Sequence, residues 1–115
     1  MSHESSYTFD LAAEMERAKS LPAAGGRASL PVVSYPSLKQ LVIYMPEGSR
    51  WDEHSTPGRV SAQVLRGRVV FSFMDSQREL RAGNVLALDS SVKHSVEAME
   101  ESWFLLTVAR CDGLA

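Results

Sequence analysis

The stretch Gly48-Ser-Arg-Trp-Asp-Glu-His54-Ser-Thr-Pro-Gly-Arg-Val60-Ser-Ala-Gln-Val-Leu-Arg-Gly67 decides how the rest of the chain is read. A glycine turn leads into a short extended arm that carries a histidine. A Pro-Gly corner follows, and then an alternating run in which Val60, Ala62 and Val64 share one face before a second glycine ends it. The segment Gly83-Asn-Val-Leu-Ala-Leu-Asp89-Ser-Ser-Val-Lys-His94-Ser-Val-Glu-Ala98 repeats the plan of glycine, strand, turn and histidine.

Outward from these segments the same punctuation continues. Runs rich in Val, Ile, Tyr and Phe fall at 31–35, 38–45, 59–66, 68–74, 78–81, 85–88, 94–99 and 102–108, each bounded by Pro, Gly, Asn, Asp or Ser. About eight short strands with no later helical period predict an all-β, closed or nearly closed antiparallel fold. Asp75-Ser-Gln77 is expected to be a hairpin loop. Before residue 28 the period differs. Leu11, Met15 and Ala18 recur at helical spacing between about Phe9 and Lys19, with Thr8 or Asp10 available as cap. Leu21-Pro22 stops that helix and Ala23-Ala-Gly-Gly26 connects it onward. The expected division is therefore a helix and connector over 1–27 and a β-domain over 28–115.

Composition narrows the function. At 115 residues, 44% hydrophobic, the chain suits one domain with one core. Its formal net charge of -2 supplies no surplus to attract nucleic acid or anionic lipid. The single cysteine, Cys111, excludes an internal disulfide and favours a reducing compartment. Trp103-Phe-Leu-Leu is far shorter than the roughly 20 apolar residues of a membrane span. Met1-Ser-His3-Glu4 lacks the marks of a signal peptide, so a cytoplasmic location is expected.

Chemistry concentrates on His54 and His94. If both line the inside of a small barrel they can meet, and neutral imidazoles are common ligands for divalent transition metals. Strand alternation would place Asp52, His54 and Thr56 on one face, which makes Asp52 the best third ligand, ahead of Gln63 and Glu97. The competing reading has each histidine satisfied by a hydroxyl, such as that of Thr56 or Ser95, or by water. Arg50 and Arg59 flank His54 and could clamp a carboxylate, but ion pairs with Glu47, Asp52 or Glu53 are the simpler expectation. Tyr44, Trp51, Phe71, Phe73, Trp103 and Phe104 are numerous enough to line a pocket, but in so short a chain most are expected to be core or dimer contact. Ser90-Ser91 has no base beside it, which argues against serine hydrolysis.

The spacing resembles the cupin superfamily. Its first motif runs Gly, five residues, His-x-His, three or four residues, Glu, six residues, Gly. Gly48, His54 and Gly67 match it, while Thr56 and Val60 replace the second histidine and the glutamate. Its second motif runs Gly, five residues, Pro-x-Gly, two residues, His, three residues, Asn. Gly83 and His94 match, and Asp89, Ser91 and Ala98 replace the rest. The resemblance covers about residues 38–108 and is similar in pattern to short single-domain bacterial cupins. It implies a jelly-roll-like double-stranded β-barrel with a pocket between its sheets, commonly a homodimer. It implies also a divalent metal, zinc, iron, manganese or nickel, of whose ligands only His54 and His94 remain. The expectation is a barrel that binds a small molecule near His54, Thr56, Val60, His94 and Asp52, without metal or with a weak two-histidine site. The alternative is a metal-dependent enzyme of dioxygenase or isomerase type.

Overall fold

A computed structural model describes residues 5–110; His3 and Cys111 lie outside the described residues. Helix α1 spans Leu11–Ser20. Asp10 caps it, the carboxylate accepting from the Ala12 N–H at 3.2 Å. This satisfies one of the backbone donors that a helix start leaves unpaired. Among the described residues nine strands follow: β1 Ala28–Ser34, β2 Leu38–Met45, β3 Arg50–His54, β4 Arg59–Arg66, β5 Arg68–Phe73, β6 Ser76–Arg81, β7 Val85–Leu88, β8 His94–Ala98 and β9 Ser102–Ala109. The arm read from the sequence as merely extended is a paired strand, β3, which raises the count from eight to nine. The hairpin loop expected at 75–77 lies one residue earlier, because Phe73 pairs with Ser76 and only Met74 and Asp75 remain in the turn. Met74 takes up the reversal with a left-handed φ of 54°.

The strands form two antiparallel sheets, one in the order β1-β2-β9-β4-β7 and the other β3-β8-β5-β6. Alternation along each strand sends one set of side chains between the sheets. Ile43 and Met45 of β2, Val60, Ala62 and Val64 of β4, Val69 and Phe71 of β5, Val96 of β8 and Phe104 and Leu106 of β9 make this inner core. The opposite set on β2 and β9 faces outward and would be wet without a cover. Helix α1 supplies that cover: Ala18, Met15 and Leu11 pack with Ala28, Leu30, Val42, Tyr44 and Trp103. Trp103 Nε1 donates to the Met15 carbonyl at 2.9 Å. The Tyr44 hydroxyl donates to Glu101, which also pairs with Lys19 of the helix at 2.8 Å. Among the described residues no helix is long and apolar enough to cross a membrane.

At one end of the barrel the chain enters and leaves through the loops that carry the motif residues. The end of β3 and the start of β4, the end of β7 and the start of β8, and the end of β9 beside the start of β2 all meet there. The Ser91 N–H donates to the Thr56 carbonyl at 2.8 Å, joining the 55–58 and 89–93 loops. Ser91 occupies the position of the second motif's glycine and adopts a left-handed φ of 65°. The backbone bend is kept although the residue that adopts it most readily is absent.

Candidate functional site

β3 and β8 pair antiparallel, and the register sets His54 directly opposite His94. Their ring centroids are 4.2 Å apart at an interplanar angle of 63°. His94 is buried, 4% exposed, and His54 is half-buried. Each Nδ1 lies against a backbone carbonyl two residues before it, His54 against Asp52 O at 2.8 Å and His94 against Val92 O at 2.9 Å. A carbonyl only accepts, so in each neutral ring Nδ1 carries the proton and Nε2 the lone pair. The partners are thus main-chain carbonyls rather than the hydroxyls of Thr56 or Ser95. Burial holds the His54 imidazole below its ordinary range, and the neighbouring His94 and Arg27 add to this against the raising effect of the Asp52 carbonyl. At neutral pH His54 is an acceptor.

Rings continue on both sides of the pair. Trp51 stacks on His54 with centroids 4.1 Å apart and planes 10° from parallel, and the Arg27 guanidinium carbon lies 4.1 Å from the Trp51 centroid. On the inner side His94 lies 6.2 Å from Phe71, which meets Phe104 edge-on at 5.7 Å. The column runs from half-buried Arg27 to Phe104 in the centre of the core. Arg27 has no spacing signal in the sequence. It reaches Trp51 because the Gly25-Gly26 turn bends the connector back onto β3, with Arg27 Nη1 donating to the carbonyls of Ala24 and Gly25.

Asp52 does not join the histidines through its carboxylate. The β3–β8 register shifts between Trp51 and His54, so the two intervening residues bulge and the alternation changes phase. Trp51, not Asp52, shares the face of His54. The Asp52 side chain is 93% exposed and pairs with Arg50 at 3.4 Å. The Thr56 hydroxyl donates to the Gly58 carbonyl at 2.9 Å within its own loop, and Val60 is buried in the inner core. Gln63 and Glu97 are exposed, consistent with an outward strand phase. Arg50 also donates to the Ser95 hydroxyl, while Arg59 pairs with Asp89 across β4 and β7 rather than with a residue of its own arm. Among the described residues no group of three or more His, Cys, Asp or Glu side chains could hold a metal ion. Two neutral imidazoles suit a divalent ion, but a protein-held metal needs a third or fourth ligand that these residues do not provide.

Around the histidines the barrel mouth carries half-buried apolar side chains, Leu41, Trp51, Phe73, Val92 and Val108, resting on the inner core. A separate concavity of about 340 Å³ lies on the outer face of β4, β7 and β9, bounded by Arg59, Ser61, Ala87, Asp89 and Thr107. Gln40 Nε2 donates to Thr107 Oγ1 on that same outer face. This hollow is on the far side of the sheet from the histidines.

No family model and no curated protein sequence matches the chain. Solved structures do. An RmlC-like cupin from Shewanella frigidimarina superposes with a TM-score of 0.79 at 15% identity, covering 98% of this chain and 97% of that one. An uncharacterised conserved protein with a double-stranded β-helix domain from Klebsiella pneumoniae gives 0.77 at 18% identity, covering 93% and 92%. A cupin superfamily protein from Desulfitobacterium hafniense gives 0.72 at 17%, covering 81% and 86%. At such identities the likeness is one of fold, and function has to be argued from the site.

Proposed function

We propose that this chain, a cupin by fold, binds a small polar molecule at the barrel mouth through His54 and His94, without requiring a metal. The observation that carries the reading is the common tautomer: both Nδ1 atoms are committed to carbonyls, which leaves two Nε2 lone pairs on rings 4.2 Å apart. Paired acceptors suit a ligand with hydroxyl or amine donors, and the half-buried apolar rim excludes water from the bonds so formed. The metal-dependent enzyme is the weaker reading, because the carboxylate that would compensate a dication is replaced by Val60 and Asp52 is turned outward.

A thermal-shift screen of small carboxylates, sugars and aromatics in excess chelator tests the proposal. A ligand that binds only the folded state raises Tm by mass action, and His54→Ala should abolish the shift. A complete absence of hits, or shifts that need added metal, would refute it. Metal analysis of untagged protein separates the two readings. Near-stoichiometric metal lost in the double variant His54→Ala, His94→Ala would favour the enzyme.

A further inference from the structure

The register of β2 places a charged side chain where an apolar one is expected. Lys39, Leu41, Ile43 and Met45 occupy alternate positions of one unbroken ladder with β9, in which Lys39 opposes Val108. Ile43 and Met45 belong to the inner core, and Leu41 and Val108 rest on it. Gln40, in the opposite phase, bonds Thr107 on the outer face. Alternation therefore sets Lys39 on the inner face, one step beyond Leu41 and level with Val108 and Val60. That level is the mouth.

The facing wall carries the histidines. The β1 edge of the five-stranded sheet lies against β3, since Arg27 just before β1 stacks on Trp51, while β4 lies against β6 at the other side. That contact lies at the Tyr44 end of β2, and β2 runs from there to Lys39 at the mouth on the side of the barrel that carries β3 and β8. Lys39 is exposed and makes no ion pair among the described residues, in contrast to Lys19, Arg50, Arg59 and Arg68. A lysine at an inward position can keep its stem on apolar surface and present its ammonium at the opening. Lys39 is such an inward-phase lysine at the open end of its strand.

We infer that the ligand of this mouth is a small hydroxylated carboxylate, its anionic end held by the Lys39 ammonium and its hydroxyl protons accepted by the imidazoles of His54 and His94. The inference rests on the ligand reading given above and adds to it the charge of the ligand. Two Nε2 lone pairs, left by Nδ1 atoms committed to carbonyls, repel a carboxylate and welcome a hydroxyl, whereas the lysine does the reverse, so the two walls of the mouth discriminate the two ends of such a molecule.

The test is calorimetric titration in excess chelator with D-glycerate and with glycerol, in which a neutral hydroxymethyl group replaces the carboxylate. Wild-type protein should prefer glycerate by about fivefold, the size of one part-exposed ion pair. Lys39→Met, which retains the stem, should reduce the ratio of the two affinities to near unity, and Lys39→Arg should keep most of it. Added salt should erode the wild-type preference and leave the Lys39→Met ratio unmoved. Far-ultraviolet circular dichroism and Tm confirm that each variant is folded. A preference that survives Lys39→Met, or a wild-type preference for glycerol, overturns the role of Lys39 and leaves the histidine site standing. Failure of both probes to bind overturns the hydroxy-carboxylate assignment, while the ligand reading itself falls only if the wider thermal-shift screen also finds nothing.

Discussion

Replacing Gly26 by alanine should weaken the fold through two separable effects. The first is conformational. Gly26 has φ +85°, and a non-glycine residue held in the left-handed region costs about 1–2 kcal/mol. The second is contact. A Cβ at this position would run into the Arg50 carbonyl oxygen, a backbone atom of β3. Arg50 is itself held in register with Glu97 of β8, so relief requires one of two backbones to move. Overpacking of this kind costs about 1–3 kcal/mol. The combined loss of about 2–5 kcal/mol is a large share of the roughly 5–15 kcal/mol expected for a domain of this class. Gly48→Ala is the matched control, because Gly48 has nearly the same φ, +81°, and nothing within 4 Å of its added Cβ. It should lose only the first contribution. Urea unfolding of both variants, followed by far-ultraviolet circular dichroism, gives the difference directly. Gly26→Ala should exceed Gly48→Ala by about 1–3 kcal/mol, and Trp51 emission should change only in the former as Arg27 leaves its ring. Equal losses in the two variants would refute the argument that the connector is pressed onto β3.

Trp103→Phe removes the indole donor to the Met15 carbonyl and should cost about 1–2 kcal/mol. Amide hydrogen exchange should quicken in α1 and not in β5 or β8; uniform quickening would show that Trp103 supports the whole barrel instead. Stability should also depend on pH through His54. Its folded-state pKa lies below the unfolded value of 6.5, so the unfolded chain binds the proton more readily. The contribution is whole above pH 6.5 and is lost as the pH falls toward the lowered folded value. His54→Gln should flatten that part of the Tm profile, and an unchanged slope would count against burial as the main influence on the ring.

The fold was legible because its strands obey local rules. β2, β4 and β7 appear in the sequence as runs between turn residues with the boundaries the structure gives them, and the glycines at 48, 67 and 83 all take positive φ where the chain must turn. The site was legible only in part. The pairing of His54 with His94 follows from two similar segments entering one sheet, whereas the place of Asp52 was misjudged because a bulge inserts a residue without altering composition. A period of two cannot register that insertion. Lys39 could have been found, since it stands in phase with Leu41, Ile43 and Met45 in a run already read as a strand. Arg27 could not have been found this way, because its contact with Trp51 depends on how a glycine turn folds back, which no periodicity encodes.

The place of β9 bears on how the molecule is made. Among the described residues it is the last of the nine strands, yet it lies at the centre of the five-stranded sheet, between β2 and β4. During synthesis the β1–β2 hairpin and the β4–β7 pair emerge with nothing between them, and the inner edges of β2 and β4 stay open until Ser102–Ala109 has left the ribosome. Open edges invite pairing with other chains. The sheet can close only after translation has passed residue 109, so the nascent protein depends on a strand it does not yet have.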